Sequence, residues 1–386
     1  MSGNKRRDAV KLSDKPWFHG KITREDAEQL LEPWVDGTFL VRESTHFVGD
    51  YTLCVCIEAR VEHYRVIKSP RNMLTIDEEE FFESLPELVA HYAEDADGLV
   101  SRLIKPVNVI KNGYEKEFEK AGWSIDRRRI QCYGVLGQGN FGEVKKGKYD
   151  GIDVAIKVMK DNKIHEHSFL AEASIMTQLR HPNLVQLIGV STGDNLWIVL
   201  EFMSKGNLLD YLRSRGRTVI RHLDQLNFSI HIASGMSYLE EKNFIHRDLA
   251  ARNILVSDED IAKVSDFGLA HHGRGMVEKS KIPVKWTAPE AVREKKYSTK
   301  SDVWSFGILL WELYSFGRVP YPRVPADNVI ILVEEGTRMQ PPEDCPDSIY
   351  KVMLTCWHKQ PEKRWRFSEI HRELFRLRKQ LLAAPH

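Results

Sequence analysis

The sequence predicts an α+β chain of two or three domains, and three stretches carry that reading. Thr38 to Glu43, Tyr51 to Ile57 and Val61 to Ile67 are short runs with strand periodicity, spaced as neighbours in one antiparallel sheet. Gly137-Gln138-Gly139-Asn140-Phe141-Gly142 opens a strand, a tight turn and a second strand ending at Val158. His246-Arg247-Asp248-Leu249-Ala250-Ala251-Arg252-Asn253, followed by Asp266-Phe267-Gly268, sets charged and amide side chains in loops between apolar strands. The length of 386 residues agrees, because single cores rarely grow past about 250–300 residues.

Composition narrows the function classes. Hydrophobic content of 42% and charged content of 29% are ordinary for a soluble globular chain. A formal net charge of +1 gives no global electrostatic argument for nucleic acid or membrane, and no nucleic-acid partner is expected. The five cysteines (Cys54, Cys56, Cys132, Cys345, Cys356) are odd in number, scattered and without a C-x-x-C pair. They fit a reducing cytosol and neither a disulfide framework nor a zinc site. The longest apolar run, Phe306 to Tyr314, includes Glu312 and falls far short of the roughly 20 residues a bilayer requires. A monomer without a transmembrane segment is expected. Met1-Ser2-Gly3 reads as neither a secretory signal nor a myristoylation site, and Lys5-Arg6-Arg7 belongs to a solvated tail, residues 1–15.

Order is expected from Pro16-Trp17-Phe18-His19-Gly20. Thr23-Arg24-Glu25-Asp26 reads as a capping box opening a short helix through Ala27, Leu30 and Leu31. Asp36-Gly37 turns the chain into the first strand, and a second helix is expected around Ser84 to Tyr92. Both faces of Phe39-Leu40-Val41-Arg42 are apolar, so that strand is central and Arg42 shares the inward face of Leu40. A buried guanidinium must have an anion. The choices are an internal carboxylate or an external phosphate, which the planar fork of arginine binds bidentately. Ser44, Thr45 and Arg24 are further donors, with His63 and Arg65 on a nearby strand.

Trp17-Phe18-His19-Gly20, Phe39-Leu40-Val41-Arg42-Glu43-Ser44 and His63-Tyr64-Arg65 together resemble an SH2 domain over residues 16–106. The resemblance implies an antiparallel sheet flanked by two helices. It implies that Arg42 holds a phosphotyrosine phosphate with help from Arg24 and Ser44, and that His63 and Tyr64 flank the phosphotyrosine or the residue after it. A charged linker, residues 107–126, follows and carries one large aromatic, Trp123. A tryptophan can bury about 150–250 Å², so Trp123 is expected to pack on the second domain, either as a simple anchor or as a coupling element.

In the second domain G-x-G-x-x-G alone is ambiguous. A dinucleotide-binding fold needs it to open a helix, but Glu143 to Tyr149, Asp150-Gly151 and Val154-Ala155-Ile156-Lys157-Val158 read as strand, turn, strand. That pattern looks like the glycine flap of protein kinases, with Gly137, Gly139 and Gly142 over the ATP phosphates. Lys157 lies in an apolar strand, and Glu172 lies on a helical stripe with Ile175, Met176 and Leu179, so the two are expected to pair. Trp197 to Met203 is an apolar strand leading to Gly206. By the same resemblance Glu201 and Met203 meet adenine through their backbones, Leu200 is the gatekeeper, and Leu136, Val144, Ala155 and Leu255 sandwich the base.

The loop at 246–253 with Asp266 asks for a nucleotide and Mg²⁺ (or Mn²⁺): Asp248 is placed to accept a hydroxyl proton, while Asn253 and Asp266 offer hard oxygen ligands. The whole of residues 127–380 resembles a bilobal protein kinase, with a small lobe at 127–203, a large lobe at 204–380 and a tail at 381–386. Ala250-Ala251-Arg252 after Asp248, and Pro283-Val284-Lys285-Trp286 before Ala288-Pro289-Glu290, resemble tyrosine kinases. The resemblance implies that Arg252 steadies charge near the transferred phosphoryl group, that Asp302 braces the catalytic loop and that Arg364 pairs with Glu290. Trp365 stands where the family usually has proline.

No tyrosine lies between Leu269 and Thr287 or after Tyr350, so neither activation-loop tyrosine phosphorylation nor a Src-type tail clamp has a residue to act on. With Ala171-Glu172-Ala173-Ser174, Asp95 to Leu99 and Lys295 to Asp302, this resembles the C-terminal Src kinase (Csk) family. The resemblance implies ATP as phosphoryl donor and the inhibitory tail tyrosine of Src-family kinases as substrate. It implies docking through Arg213, Arg215 and Arg217, and recruitment from the cytoplasm to the inner membrane surface by phosphotyrosine-bearing adaptor proteins. About 15 residues precede Trp17, too few for the SH3 domain usual in that family. A tyrosine kinase of broader specificity and an inactive SH2 scaffold remain as alternatives, the latter against the presence of Lys157, Asp248 and Asp266. His165-Glu166-His167 and His271-His272 match no metal spacing and read as surface residues.

Overall fold

The computed structural model describes residues 12, 15–31, 35–45, 47, 49–58, 60–107, 118–139, 142–159, 166–192, 196–267, 271–272 and 283–383. Several expectations above lie outside them: the basic tail, Asn140 and Phe141 of the glycine stretch, His165, Gly268, most of the loop that follows it, and the last three residues. The chain forms two compact units, one carried by Met1–Gly122, the other by Trp123–Asp161 with Ser168–His386.

The first unit begins with helix α1 (Arg24–Leu30), continues through β1 (Thr38–Glu43), β2 (Tyr51–Ile57), β3 (Arg60–Lys68) and β4 (Leu74–Thr75), and ends with α2 (Leu85–Glu94) and β5 (Lys105–Pro106). The strands form one sheet in the order β4-β3-β2-β1-β5, antiparallel except for the β1–β5 pair. Thr23 opens α1 as expected, its hydroxyl accepting from the Asp26 amide at 3.1 Å while Asp26 accepts from the Thr23 amide at 2.9 Å. Strand alternation divides the core. Phe39, Val41, Leu53 and Val55 face α2, where they pack with Leu85, Leu88, Val89 and Tyr92. Leu40, Cys54 and Cys56 face α1 and pack with Ala27 and Leu31. Arg42 lies on the Leu40 face and is only 6% exposed.

The second unit opens with a five-stranded antiparallel sheet: β6 (Ile130–Gly139), β7 (Gly142–Tyr149), β8 (Ile152–Met159), β9 (Leu187–Thr192) and β10 (Leu196–Glu201), ordered β6-β7-β8-β10-β9. Helix α3 (Glu166–Thr177) lies between β8 and β9 in sequence. The β7–β8 turn has both central residues left-handed, Asp150 at φ 50° and Gly151 at φ 84°, which suits the twist of a two-residue hairpin. On β8, Val154 and Ile156 are buried with Ile130 and Val199, so alternation turns Ala155 and Lys157 to the opposite face. The apolar strand expected to reach Met203 ends at Glu201.

The rest of the unit is mainly helical: α4 (Leu208–Val219), α5 (His222–Glu241), α6 (Pro289–Glu294), α7 (Thr299–Tyr314), α8 (Ala326–Glu334), α9 (Asp347–Cys356) and α10 (Phe367–Ala383). Two short antiparallel pairs, β11 (Phe244–Ile245) with β14 (His271–His272) and β12 (Ile254–Val256) with β13 (Ala262–Val264), carry the polar loops. α7 is buried at every position from Ser301 to Tyr314, and each large apolar side chain there contributes about 1.5–3 kcal/mol. That burial makes α7 the rigid element on which the catalytic loop rests. Among the described residues no helix is long and apolar enough to cross a membrane.

Candidate active site

Two buried acids of α7 hold the catalytic loop. Asp302 accepts from the backbone amides of His246 at 2.7 Å and Arg247 at 2.9 Å. Glu312 accepts from the Ala251 amide at 3.0 Å and from the Trp286 indole at 2.9 Å. The His246 ring meets the Ser265 carbonyl at 3.0 Å through Nε2, which therefore carries the proton, and Nδ1 accepts from the Asp248 amide at 3.3 Å. Arg247 has φ 69°, a left-handed conformation that costs an arginine about 1–3 kcal/mol and is kept by these bonds.

The Asp248 carboxylate is set from both sides. Arg252 donates to Oδ1, and the Asn253 amide donates to Oδ2 at 2.7 Å and to the Asp248 carbonyl at 2.7 Å. The Arg252 guanidinium in turn stands over the Trp286 ring, 4.9 Å from its centroid. Because the Asn253 nitrogen is committed to Asp248, its oxygen is the atom turned elsewhere, a hard donor suited to a divalent cation. Asp266, about half exposed, has φ 63° and places Oδ1 4.0 Å from the Lys157 ammonium. The pair fits a cation held by few protein oxygens and completed by phosphate and water.

Lys157 and Glu172 meet as expected, Nζ to Oε2 at 2.5 Å, with Glu172 4% exposed. Burial alone would push the lysine down; the Glu172 carboxylate, with Asp266 behind it, outweighs this and holds its pKa above the ordinary value. In the same sheet the register places Leu200 opposite Ala155 and Val144 opposite both Gly137 and Lys157, and an isolated bridge sets Leu255 against Asn207. Leu136 is half exposed, and Val144, Ala155, Leu200 and Leu255 are partly open. Met203 is buried, its carbonyl accepting from Gly206 at 3.1 Å. The Glu201 carboxylate is turned away to Lys263 at 2.6 Å and to the Gln186 amide at 2.8 Å.

The glycines of the flap differ in cause. A side-chain carbon at Gly137 would meet nothing within 4 Å, so close approach of a ligand to the backbone is open there. At Gly142 it would come within 1.9 Å of the Val158 carbonyl, so strand packing fixes this glycine. Gly139 closes β6, paired with Gly142.

In the first unit, Arg42 donates to the Glu43 carbonyl at 3.4 Å, while its buried Nε meets no partner. Arg24 is paired with Glu28 at 2.8 Å, and the same Glu28 oxygen lies 3.0 Å from His63 Nε2. Ser44 Oγ accepts from the Phe47 amide at 3.1 Å. The internal carboxylate weighed above is therefore present, but on Arg24, and the central arginine keeps an unsatisfied donor.

Comparison with known proteins finds a family for each unit. A profile of protein tyrosine and serine/threonine kinases matches residues 130–374, and an SH2 profile matches residues 17–92. The megakaryocyte-associated tyrosine-protein kinase of Mus musculus is 48% identical over 379 residues, 97% of this chain and 74% of that protein. Tyrosine-protein kinase csk-1 of Caenorhabditis elegans is 46% identical over 389 residues, 94% of this chain and 72% of its own. Tyrosine-protein kinase abl-1 of the same organism is 44% identical over 374 residues, but the match spans only 30% of it. The chain belongs to the Csk family of SH2-bearing protein tyrosine kinases.

In this Csk-family kinase the remaining expected residues fall as follows. Arg364 pairs with Glu290 at 2.5 and 2.9 Å, and Trp365 leaves that pair intact. Trp123 is half-buried, and its carbonyl accepts from Val190 at 2.8 Å on β9. Arg213, Arg215 and Arg217 are exposed, but a break in α4 at Gly216 separates the third from the others. Arg213 donates to the Gly317 carbonyl at 2.9 Å, and Arg217 pairs with Asp344 at 2.7 Å and Glu343 at 2.8 Å. Two participants were missed by sequence reading. Glu312 lay inside an apolar run read only for membrane length, and its isolation there was the available signal. Glu28 lies four residues after Arg24, the ion-pair spacing of a helix.

Proposed function

We propose that this tyrosine kinase transfers the γ-phosphoryl group of ATP to the inhibitory tail tyrosine of Src-family kinases, with Mg²⁺ (or Mn²⁺) as the metal. The observation that carries the tyrosine chemistry is the chain Asp248–Arg252–Trp286, which joins the catalytic base to the acceptor platform. Asp248 orients the hydroxyl and accepts its proton. Arg252 offers positive charge beside it. Lys157, kept ionised by Glu172, holds the ATP phosphates under Gly137, Gly139 and Gly142, and Leu136, Val144, Ala155, Leu200 and Leu255 enclose the base against the Glu201–Met203 backbone. Asn253 and Asp266 would hold the metal, which when bound neutralises charge on the phosphates. Rate comes mainly from positioning and electrostatics, because the transition state is loose.

The absence of tyrosine from Leu269 to Thr287 supports the tail-directed reading, since activation-loop tyrosine phosphorylation has no residue to act on there. Arg215, with the outward charge of Arg213 and Arg217, serves docking. Arg42, Arg24, Ser44 and His63 bind phosphotyrosine on adaptor proteins and recruit the kinase from the cytoplasm to the inner membrane surface. Trp123, seated on β9, couples that binding to turnover; an unchanged response to phosphopeptide in Trp123→Ala would refute this.

The test uses a catalytically inactive Src-family kinase with ATP and Mg²⁺, mass spectrometry to locate phosphotyrosine, and Asp248→Asn as control. Phosphate on the tail tyrosine alone, lost in the control, supports the proposal. Phosphate spread over many tyrosines discards the dedicated substrate and leaves a broader tyrosine kinase.

A further inference from the structure

In the first unit a directed chain of hydrogen bonds runs from Cys54 through His63 and Glu28 to Arg24. Glu28, an acceptor, lies 3.0 Å from His63 Nε2, so that nitrogen carries the ring proton and Nδ1 is a lone pair. Nδ1 lies 3.2 Å from the Cys54 sulfur, which must therefore donate. Burial pushes the Cys54 thiol up to about 12, against the lowering pull of the Arg42 charge, so it keeps its proton. Burial also pushes the His63 pKa down, leaving the ring neutral. The network thus runs from Cys54, beside the Arg42 charge, through His63 to Glu28, which the Arg24 guanidinium closes at 2.8 Å. Positive charge stands at both ends and negative charge at Glu28. Glu28 is held as a phosphate oxygen would be: one carboxylate oxygen takes hydrogen bonds from Arg24 and His63 together.

We propose that Glu28 is an internal competitor of the phosphotyrosine phosphate, occupying Arg24 and His63 and lowering the affinity of the pocket through its charge. The inference rests on the reading of Arg42 as the phosphate-binding arginine. A phosphate monoester brings a charge of about −1.5 to −2, so its entry requires Arg24 to exchange partners and sets like charges close together. The pocket is then tuned for release as well as capture. The rival role for Glu28 is positioning, in which it holds Arg24 and His63 ready for the phosphate. The two roles give opposite signs.

Titration calorimetry on the full chain with O-phospho-L-tyrosine separates them. Glu28→Gln keeps an oxygen acceptor and removes the charge; Glu28→Ala removes both. Competition makes both variants bind more tightly, Gln by about three- to tenfold, with the gain shrinking toward parity near 1 M salt, where the Debye length is about 3 Å. Unchanged binding in Gln with weaker binding in Ala, or a gain insensitive to salt, overturns the proposal. Arg42→Met is the control for the underlying reading. If it binds as well as the parent, or the parent fails to bind, the pocket assignment itself falls. If Arg42→Met abolishes binding while Glu28→Gln gives no gain, only the role of Glu28 falls.

Discussion

The Trp286 indole and the Ala251 amide donate to one and the same oxygen of Glu312, at 2.9 and 3.0 Å. The 246–253 loop and Trp286 are thereby fastened through a single buried atom. Glu312→Ala strands two buried donors, each at about 1–3 kcal/mol, and is expected to destabilise the kinase unit by about 2–5 kcal/mol and lower kcat on the order of tenfold. Glu312→Gln retains an acceptor oxygen and is expected to keep most of the activity. Denaturant unfolding and initial rates on a tyrosine peptide distinguish the two variants.

The acids of α7 also predict a pH dependence of stability. Burial raises Glu312 to about 7 and Asp302 to about 6, against the lowering pull of their hydrogen bonds. A raised folded pKa means that the folded state binds more protons, so this contribution is full below about pH 4 and is lost as pH rises through 6 to 7. For Glu312 the loss is on the order of 3 kcal/mol. The difference in melting temperature between Glu312→Gln and the parent should therefore shift in favour of the variant between pH 4.5 and pH 7.5. A constant difference would show that Glu312 does not titrate there.

In the proposed mechanism the 2.5 Å contact of Lys157 with Glu172 sets the lysine for the ATP phosphates. Lys157→Met is expected to reduce kcat/KM for ATP by about 100- to 1,000-fold, the scale for losing one preorganised donor. Glu172→Gln leaves the lysine present but unaligned and should cost less, about 10- to 100-fold. Steady-state kinetics in varied ATP and Mg²⁺ provide the check, and equal losses would deny Glu172 a merely orienting part.

Arg364 is 2% exposed, donates twice to Glu290 and also reaches the His358 carbonyl at 2.9 Å and the Lys300 carbonyl at 2.9 Å. Arg364→Ala would leave Glu290 and two carbonyls unpaired, and a loss of about 3–5 kcal/mol is expected in equilibrium unfolding. Trp365→Pro, which restores the usual family residue, leaves all four bonds in place, and its effect should stay within about 1 kcal/mol.

Much of this was legible beforehand because local patterns were unambiguous. Strand alternation put Arg42 on the buried face of β1, and helix periodicity put Glu172 on the buried stripe of α3. The motif residues Asp248, Asn253 and Asp266 announced the polar centre. What escaped was set by tertiary partners. Glu312 is ten residues from Asp302 on one helix, and nothing local says which backbone amide lies against either. Arg217 reads as a free cation until Glu343 and Asp344 are brought to it from more than a hundred positions away. Gly142 reads as a phosphate-binding glycine, whereas the Val158 carbonyl is what excludes a side chain there.

The spacing of Asp302 and Glu312 makes α7 a ruler. Ten residues at about 1.5 Å each set the two carboxylates roughly 15 Å apart along the axis, and ten steps of about 100° leave them about 80° apart around it. The loop from His246 to Ala251 is thus stretched between two fixed marks on a rod that solvent does not reach. One residue inserted between the marks would swing the second about 100° aside and detach Ala251 and Trp286 from Glu312, although every side chain of the site would still be present. The length of this helix is therefore as much a part of the enzyme as the residues that touch the phosphate.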